Sequence, residues 1–166
     1  MSATLPSESS RAAFAILNRQ RLRRVDTRLL RRVVRALLHD LAQCRDYELA
    51  IHLVGAVEMA RVNERFLRHT GSTDVITFEH PGSRPAALRG ELFICLADAI
   101  AQARVFRTSW QSELVRYIAH GILHLRGFDD HSATGRRRMK REENRLVREL
   151  SRRFPFAALA RPTATS

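Results

Sequence analysis

Tyr47-Glu48-Leu49-Ala50-Ile51-His52-Leu53-Val54 puts Tyr47, Leu49, Ile51 and Leu53 on one side of an extended chain. That alternation is the period of a β-strand with one face against a core. The period then changes, and Val57 to Arg68 reads as a helix that stops near Gly71. Thr73 to Phe78, rich in β-branched and aromatic residues and followed by Pro81 and Gly82, reads as a strand closed by a loop. Gly90 to Leu96 reads as the next strand. Upstream, Phe14 to Leu17 is a short strand that runs into the arginine cluster Arg19, Arg21, Arg23 and Arg24. Asp26 then has the character of an N-cap for a helix in which Leu29, Val33, Leu37 and Leu41 recur every four residues, with Arg28, Arg31, Arg32 and Arg35 mostly on other faces. Downstream, Ala97 to Phe106, Gln111 to Leu125 and about Thr134 to Arg153 read as helices. Strands interleaved with helices, followed by helices alone, predict an α+β fold: a single mixed sheet of about four strands covered by helices. Residues 1–154 are expected to form one domain and 155–166 a flexible C-terminal tail.

The charge balance narrows the function classes. The 166 residues carry 29 basic and 17 acidic side chains, a formal net charge of +12. Lys140 is the only lysine, so the excess is arginine, whose planar fork matches phosphate oxygens in pairs. Such a chain seeks polyanions. No stretch approaches the roughly 18 uninterrupted apolar residues that a membrane-spanning helix requires, and Met1 to Ser10 lacks the charged start and apolar run of a secretory signal. The expected compartment is therefore the cytoplasm, without a membrane partner. Cys44 and Cys95 form no C-x-x-C pair, which argues against a disulfide framework or a cysteine-rich zinc finger.

The chemistry concentrates in His120-Gly121-Ile122-Leu123-His124-Leu125-Arg126-Gly127-Phe128-Asp129-Asp130-His131. Two histidines four apart on a helix project from one face and can meet one metal ion. Leu114, Ile118, Ile122 and Leu125 line another face, so the site sits on a core helix. Gly127 lets the chain turn sharply and carry a third ligand back, for which His131 is the natural candidate. Three protein ligands leave a coordination position for water, the pattern of catalytic rather than structural zinc. His39, His52, His69 and His80 show no such pattern and read as ordinary core or surface residues.

This segment resembles the H-G-x-L-H-L-x-G-[FY]-D-H signature of the YbeY family of endoribonucleases that mature ribosomal RNA. Asn63, Phe66 and Ser72-Thr73-Asp74-Val75-Ile76-Thr77-Phe78 resemble that family's N-x-x-[YF] and T-[DN]-V-[LI]-[ST]-F, and Gly90-Glu91-Leu92-Phe93-Ile94 resembles its G-D-[IL]-x-[IL] strand. The likeness runs over roughly residues 45 to 150. It implies a single-strand-specific endoribonuclease with one Zn2+ per chain, acting in maturation of the 16S rRNA 3′ end and in ribosome quality control. The implied partners are ribosomal RNA and the small subunit, with ribosomal proteins or an assembly GTPase. The family has five residues between its second and third histidines, whereas six separate His124 from His131, and Asp130 occupies the third-ligand position. Either His131 coordinates across a one-residue bulge or Asp130 does. Neutral imidazole with two companions is the commoner zinc set, which favours His131. The family arginine falls on Leu67, and Arg68, one residue later, is the candidate to replace it.

On this reading zinc lowers the pKa of its bound water to roughly 7 and polarises a phosphoryl oxygen. Arg68 stabilises the charge that grows on the phosphate in the transition state, and Arg68, Arg136 and Arg137 bind RNA. Arg136, Arg137, Arg138, Arg141, Arg145 and Arg148 make the last helix strongly basic, which is also what a solvated face looks like. Glu91 and Asp74 either orient ligands or serve strand ends and a protein partner. A zinc protease of the H-E-x-x-H type would need a glutamate where Gly121 stands. A zinc deaminase would need a P-C-x-x-C element. The alternative from another class is a non-catalytic, zinc-stabilised RNA-binding ribosome assembly factor.

Overall fold

The computed structural model describes residues 12–67, 74–81 and 87–162. Among these residues four strands form one sheet: β1 (Ala12–Asn18), β2 (Tyr47–Val54), β3 (Val75–Glu79) and β4 (Leu88–Cys95), in the spatial order β1-β2-β4-β3. β1 and β4 flank β2 in parallel, and β3 closes the far edge antiparallel to β4, so the sheet is mixed as expected. Five α-helices among the described residues accompany it: α1 (Thr27–Ala36), α2 (Ala56–Val62), α3 (Leu96–Phe106), α4 (Trp110–Leu125) and α5 (Ala133–Arg153). Wide π turns extend α1 through Leu37–Leu41 and α2 through Asn63–Leu67. No helix among the described residues is long and apolar enough to cross a membrane.

The alternation at Tyr47, Leu49, Ile51 and Leu53 points those side chains into the main core, where they join Leu30, Val33, Leu37, Leu92, Ile118 and Ile122. The opposite face of the sheet carries a smaller cluster of Val54, Met59, Ile76 and Cys95, supplied in part by α2. β2 is buried on both sides over its second half because it lies between β1 and β4 with helices above and below. Asp26 caps α1 as expected, its side chain accepting from the Leu29 amide at 2.9 Å. The boundary between β4 and α3 falls one residue earlier than the sequence suggests. Cys95 is still extended and Leu96 already helical, and an unbroken apolar run across that junction conceals the change of period.

The segment after Pro155, expected to be a loose tail, docks onto the domain as far as residue 162. Phe156–Leu159 forms a 3-10 turn, Leu159 is fully buried, and Ala160 makes an antiparallel bridge with Val25. The Asp26 amide donates to the Leu159 carbonyl at 2.8 Å and the Arg161 amide to the Arg24 carbonyl at 2.8 Å. Phe154, Phe156 and Leu159 follow neither a helical nor a strand period, so their apolar surface gives no pattern to read, yet together they cover the core beside α1.

Helix α4 crosses the sheet with most of its circumference buried and with α3 and α5 as neighbours. Its closest approach to β4 is at Gly121, where an added Cβ would lie 2.7 Å from Leu92 Cδ2. A second close approach brings the Gly90 backbone against the Phe78 carbonyl and Leu125. Overpacking a filled core typically costs about 1–3 kcal/mol, and in a helix alanine recovers about 1 kcal/mol over glycine. Gly90→Ala, which meets backbone and lacks that compensation, is therefore expected to lower the urea unfolding midpoint clearly more than Gly121→Ala. Equal midpoints for the two variants would show that β4 and Leu125 can move apart at little cost.

Candidate metal centre and adjoining cleft

Ser109 starts α4 by accepting from the Ser112 amide at 3.1 Å. From there Glu113, the adjacent pair Arg116 and Tyr117, His120 and His124 recur one turn apart, a polar stripe on a largely apolar helix. At its C-terminus the chain reverses through Gly127, whose φ of 91° lies in the left-handed region. The Gly127 amide donates to the His124 carbonyl at 2.9 Å and the Phe128 amide to that of Leu123 at 3.0 Å. This turn returns Asp129–His131 toward the histidines, and Ser132 then caps α5 through the Gly135 amide at 2.9 Å.

The histidine pair meets as its spacing requires: His120 Nε2 and His124 Nε2 are 3.0 Å apart. The third group brought to them is Asp130, whose Oδ2 lies 3.6 Å from His124 Nε2 and 3.9 Å from His120 Nε2. Ligands about 2.0–2.1 Å from a tetrahedral ion stand roughly 3.3 Å from one another, a value inside the observed range. His131, the favoured third ligand on sequence grounds, does not join this group. Its side chain is 93% exposed, with Nε2 3.7 Å from Asp129 Oδ1. A second grouping, of Asp129, Asp130 and His131, also brings its donor atoms within 4.8 Å of one another, but it shares Asp130 and lies on the loop. The physical reason that Asp130 rather than His131 approaches the pair is register. The Gly127 turn delivers the sixth residue after His124 to the histidine face, and the next one points to solvent.

Glu143 of α5 completes the centre from behind. It is 5% exposed, and its Oε2 accepts from His120 Nδ1 at 2.9 Å. With the Nδ1 proton committed to the carboxylate, neutral His120 presents a lone pair at Nε2, the atom facing His124 and Asp130. The other carboxylate oxygen accepts from Arg116 Nη1 at 2.7 Å, and that nitrogen also donates to Asn144 Oδ1 at 2.7 Å. Burial by itself would raise the Glu143 pKa, but the bonds from His120 and Arg116, with the Lys140 charge, bring it down to about 2. Burial pulls the His120 pKa down, but the Glu143 hydrogen bond and charge, helped by Asp74 and Asp130, leave it above its ordinary value. His124 has no such carboxylate behind it, and burial followed by the His120 charge lowers its pKa. Two imidazoles 3.0 Å apart thus titrate in opposite directions because only one is backed by a buried acid.

A cleft of about 710 Å3 opens beside the centre, with His120, Asp130 and Glu143 among its lining residues. Three cations, Arg116, Arg136 and Lys140, line it together with four acids, Asp74, Glu113, Asp130 and Glu143. Arg136 holds the ligand loop, donating to the Asp130 and His131 carbonyls at 3.4 and 3.2 Å. Arg137 is exposed and donates to Thr134 Oγ1 at 3.5 Å, outside that lining. Arg68 lies outside the described residues. Asp74 serves the end of β3, accepting from the Val75 amide at 2.8 Å. Glu91 bridges two histidines that had shown no pattern, with His52 Nε2 and His80 Nε2 each 2.9 Å from one of its oxygens. His39 pairs with the Tyr47 hydroxyl at 2.7 Å.

Sequence reasoning missed Glu143, although a signal was there. The inward stripe of α5 reads Met139, Glu143, Leu146, Val147 and Leu150, and an acid in such a stripe is buried only with partners.

Comparison with known proteins then settles kinship. The sequence model of the family described as Endoribonuclease YbeY matches residues 15–151. The chain belongs to that family. An endoribonuclease YbeY from Chlorobium luteolum is 35% identical over 130 residues, covering 78% of this chain and 93% of the relative. One from Syntrophotalea carbinolica is 32% identical over 146 residues, covering 84% of this chain and 96% of the relative. The solution structure of the Thermotoga maritima protein TM1509 superposes with a TM-score of 0.65 over 93% of this chain and 99% of that one. At 22% identity that likeness speaks for the fold alone.

The buried pair sets a pH signature for metal-free protein. A carboxylate held near 2 instead of 4.5 contributes stability above its unfolded value and loses it as pH falls through that window. A raised histidine contributes below its unfolded value and loses this as pH rises through the folded one. The urea-unfolding difference between wild type and Glu143→Gln should therefore be widest between about pH 4.5 and 6.5, at about 1–3 kcal/mol. It should shrink on either side, and a difference independent of pH would mean that Glu143 is not charged in the folded protein.

Proposed function

We propose that this chain is a zinc-dependent, single-strand-specific endoribonuclease of ribosomal RNA maturation, with His120, His124 and Asp130 as its metal ligands. As a member of this family the protein is a nuclease acting on RNA phosphodiester bonds. The observation that carries the metal assignment is the convergence of two imidazole nitrogens and one carboxylate oxygen at the edge of a cleft walled by Arg116, Arg136 and Lys140. Two nitrogens and a carboxylate oxygen are a donor set that zinc accepts with a position to spare. When bound, the ion supplies Lewis acidity and a lowered water pKa.

The chain's own residues do the rest. Glu143 fixes the His120 tautomer and the orientation of its ring. Arg136 holds the loop that delivers Asp130. Arg136 and Lys140, exposed on α5 at the cleft, are the cations proposed to meet the phosphates of a strand, while Arg116 is held by Glu143 and Asn144. Arg68 is proposed as a further cation for the transition state, and Arg137 as an outer contact to the RNA backbone. The +12 charge supports a polyanionic substrate. At the position a metalloprotease would give to its glutamate base stands Gly121, which has no side chain to take a proton and faces Leu92. Processing of the 16S rRNA 3′ end and ribosome quality control, in the cytoplasm and in contact with the small subunit, is the role this proposal assigns.

The test is cleavage of a labelled single-stranded rRNA precursor fragment, with chelator and zinc add-back, by wild type and by four variants. Cleavage should stop on chelation and return with zinc. His124→Ala and Asp130→Ala should each lose more than about 100-fold in activity and in zinc affinity, and Glu143→Gln about 10–100-fold. His131→Ala should stay within about threefold of wild type. A dead His131→Ala beside an active Asp130→Ala would return the third position to the histidine. Undiminished cutting by His124→Ala would refute the metallonuclease.

A further inference from the structure

The cleft extends past the metal ligands along α4, and its far end differs in chemistry from its near end. His120 and Asp130 mark the near end, while Gln102, Phe106, Thr108, Glu113 and Tyr117 line the other. Glu113 precedes His120 by seven residues on the same face, about 10 Å along the axis. That span suits a phosphate at the metal and the base edge of an adjoining nucleotide at Glu113.

Two polar groups at this end have unused bonding capacity. Glu113 is 4% exposed, and its only side-chain hydrogen bond among the described residues comes from Thr108 Oγ1 at 2.6 Å, on Oε1. A carboxylate has room for several more donors. Tyr117 is 6% exposed, and its buried hydroxyl meets no hydrogen-bond partner among the described residues. Buried hydroxyls are nearly always paired, and leaving one unmade is costly. Burial first, and then the charges of Asp74, Glu113 and Asp98, drive its pKa far upward, so it remains a donor at every working pH. At the rim stands Phe106, an aromatic ring 66% exposed at the end of α3, the kind of flat apolar surface on which single-stranded bases stack.

We propose that this end of the cleft is a nucleobase subsite that selects an amino-bearing base beside the scissile phosphate. Glu113 accepts from the exocyclic amino group, the Tyr117 hydroxyl donates to the neighbouring ring nitrogen, and Phe106 stacks on the base. Cytosine and adenine present that donor–acceptor pair, whereas uracil presents a carbonyl to the carboxylate and an N–H to the hydroxyl. The subsite rests on the nuclease reading above, which says what lies at the near end.

The test uses two single-stranded 2′-O-methyl oligonucleotides with one internal ribonucleotide linkage, flanked on both sides by cytosine in one and by uracil in the other. Zinc-loaded wild type should cut the cytosine substrate roughly 10–100-fold faster in kcat/KM. Glu113→Gln keeps the Thr108 bond but turns a donor toward the base, and should abolish or reverse the preference. Phe106→Ala, at an exposed position that cannot unfold the core, should slow both substrates alike by about 10-fold. Equal cutting of both by wild type overturns the subsite and leaves the nuclease standing. Cutting of neither overturns the nuclease reading. Fluorescence anisotropy of the same pair on His124→Ala then decides the subsite separately: tighter binding of the cytosine strand supports it, and equal binding overturns it.

Discussion

Helix α4 lies against β4 with no side chain between its backbone and Leu92, because residue 121 is a glycine. Much of the molecule depends on this contact. With the helix seated so deeply, Leu114, Ile118 and Ile122 are fully enclosed, and the polar stripe from Glu113 to His124 can only turn toward the gap beside α5 and the loop after Gly127. A bulkier residue at 121 would lift the helix and shift every group in that stripe, since interiors packed to crystal density transmit displacement rather than absorb it.

The second constraint is the buried bond between His120 and Glu143, which ties α4 to α5 through the centre itself. Burying a carboxylate and an imidazole costs several kcal/mol unless each finds partners. Glu143 has three, in His120, Arg116 and Lys140. The arrangement does two things at once. It stabilises the docking of the basic α5 helix, and it leaves the His120 Nε2 lone pair free for a ligand. The divergent shifts of His120 and His124 come from the same asymmetry, so packing and site chemistry are here one interaction.

A division of labour runs along the cleft. On the proposed reading the cations Arg116, Arg136 and Lys140 serve the phosphates without regard to sequence. Glu113, Tyr117 and Phe106 offer shape, donors and acceptors instead, which is the chemistry that distinguishes one base from another. On the proposed reading Glu113 and His120 share α4, whose rise per residue sets the distance between base and phosphate, while Arg136 and Lys140 approach from α5 and Phe106 from α3.

The strand at Tyr47–Val54, the capped helix after Asp26 and the histidine pair were legible because each obeys a local period: two for the strand, about four for the helices. The same locality explains the α+β class, the metal-ligand spacing and the family likeness, since all are properties of neighbours in the chain. What only tertiary structure decided was which residue of the loop approaches the histidine pair, the partner behind His120 and the fate of the C-terminal segment. Asp130 rather than His131 reaches the histidines because the turn at Gly127 sets the direction of each following side chain. Glu143 meets His120 across 23 residues, and Leu159 meets the start of α1 across most of the chain. Such contacts join residues that share no local period, and they exist only once the core has brought their helices together.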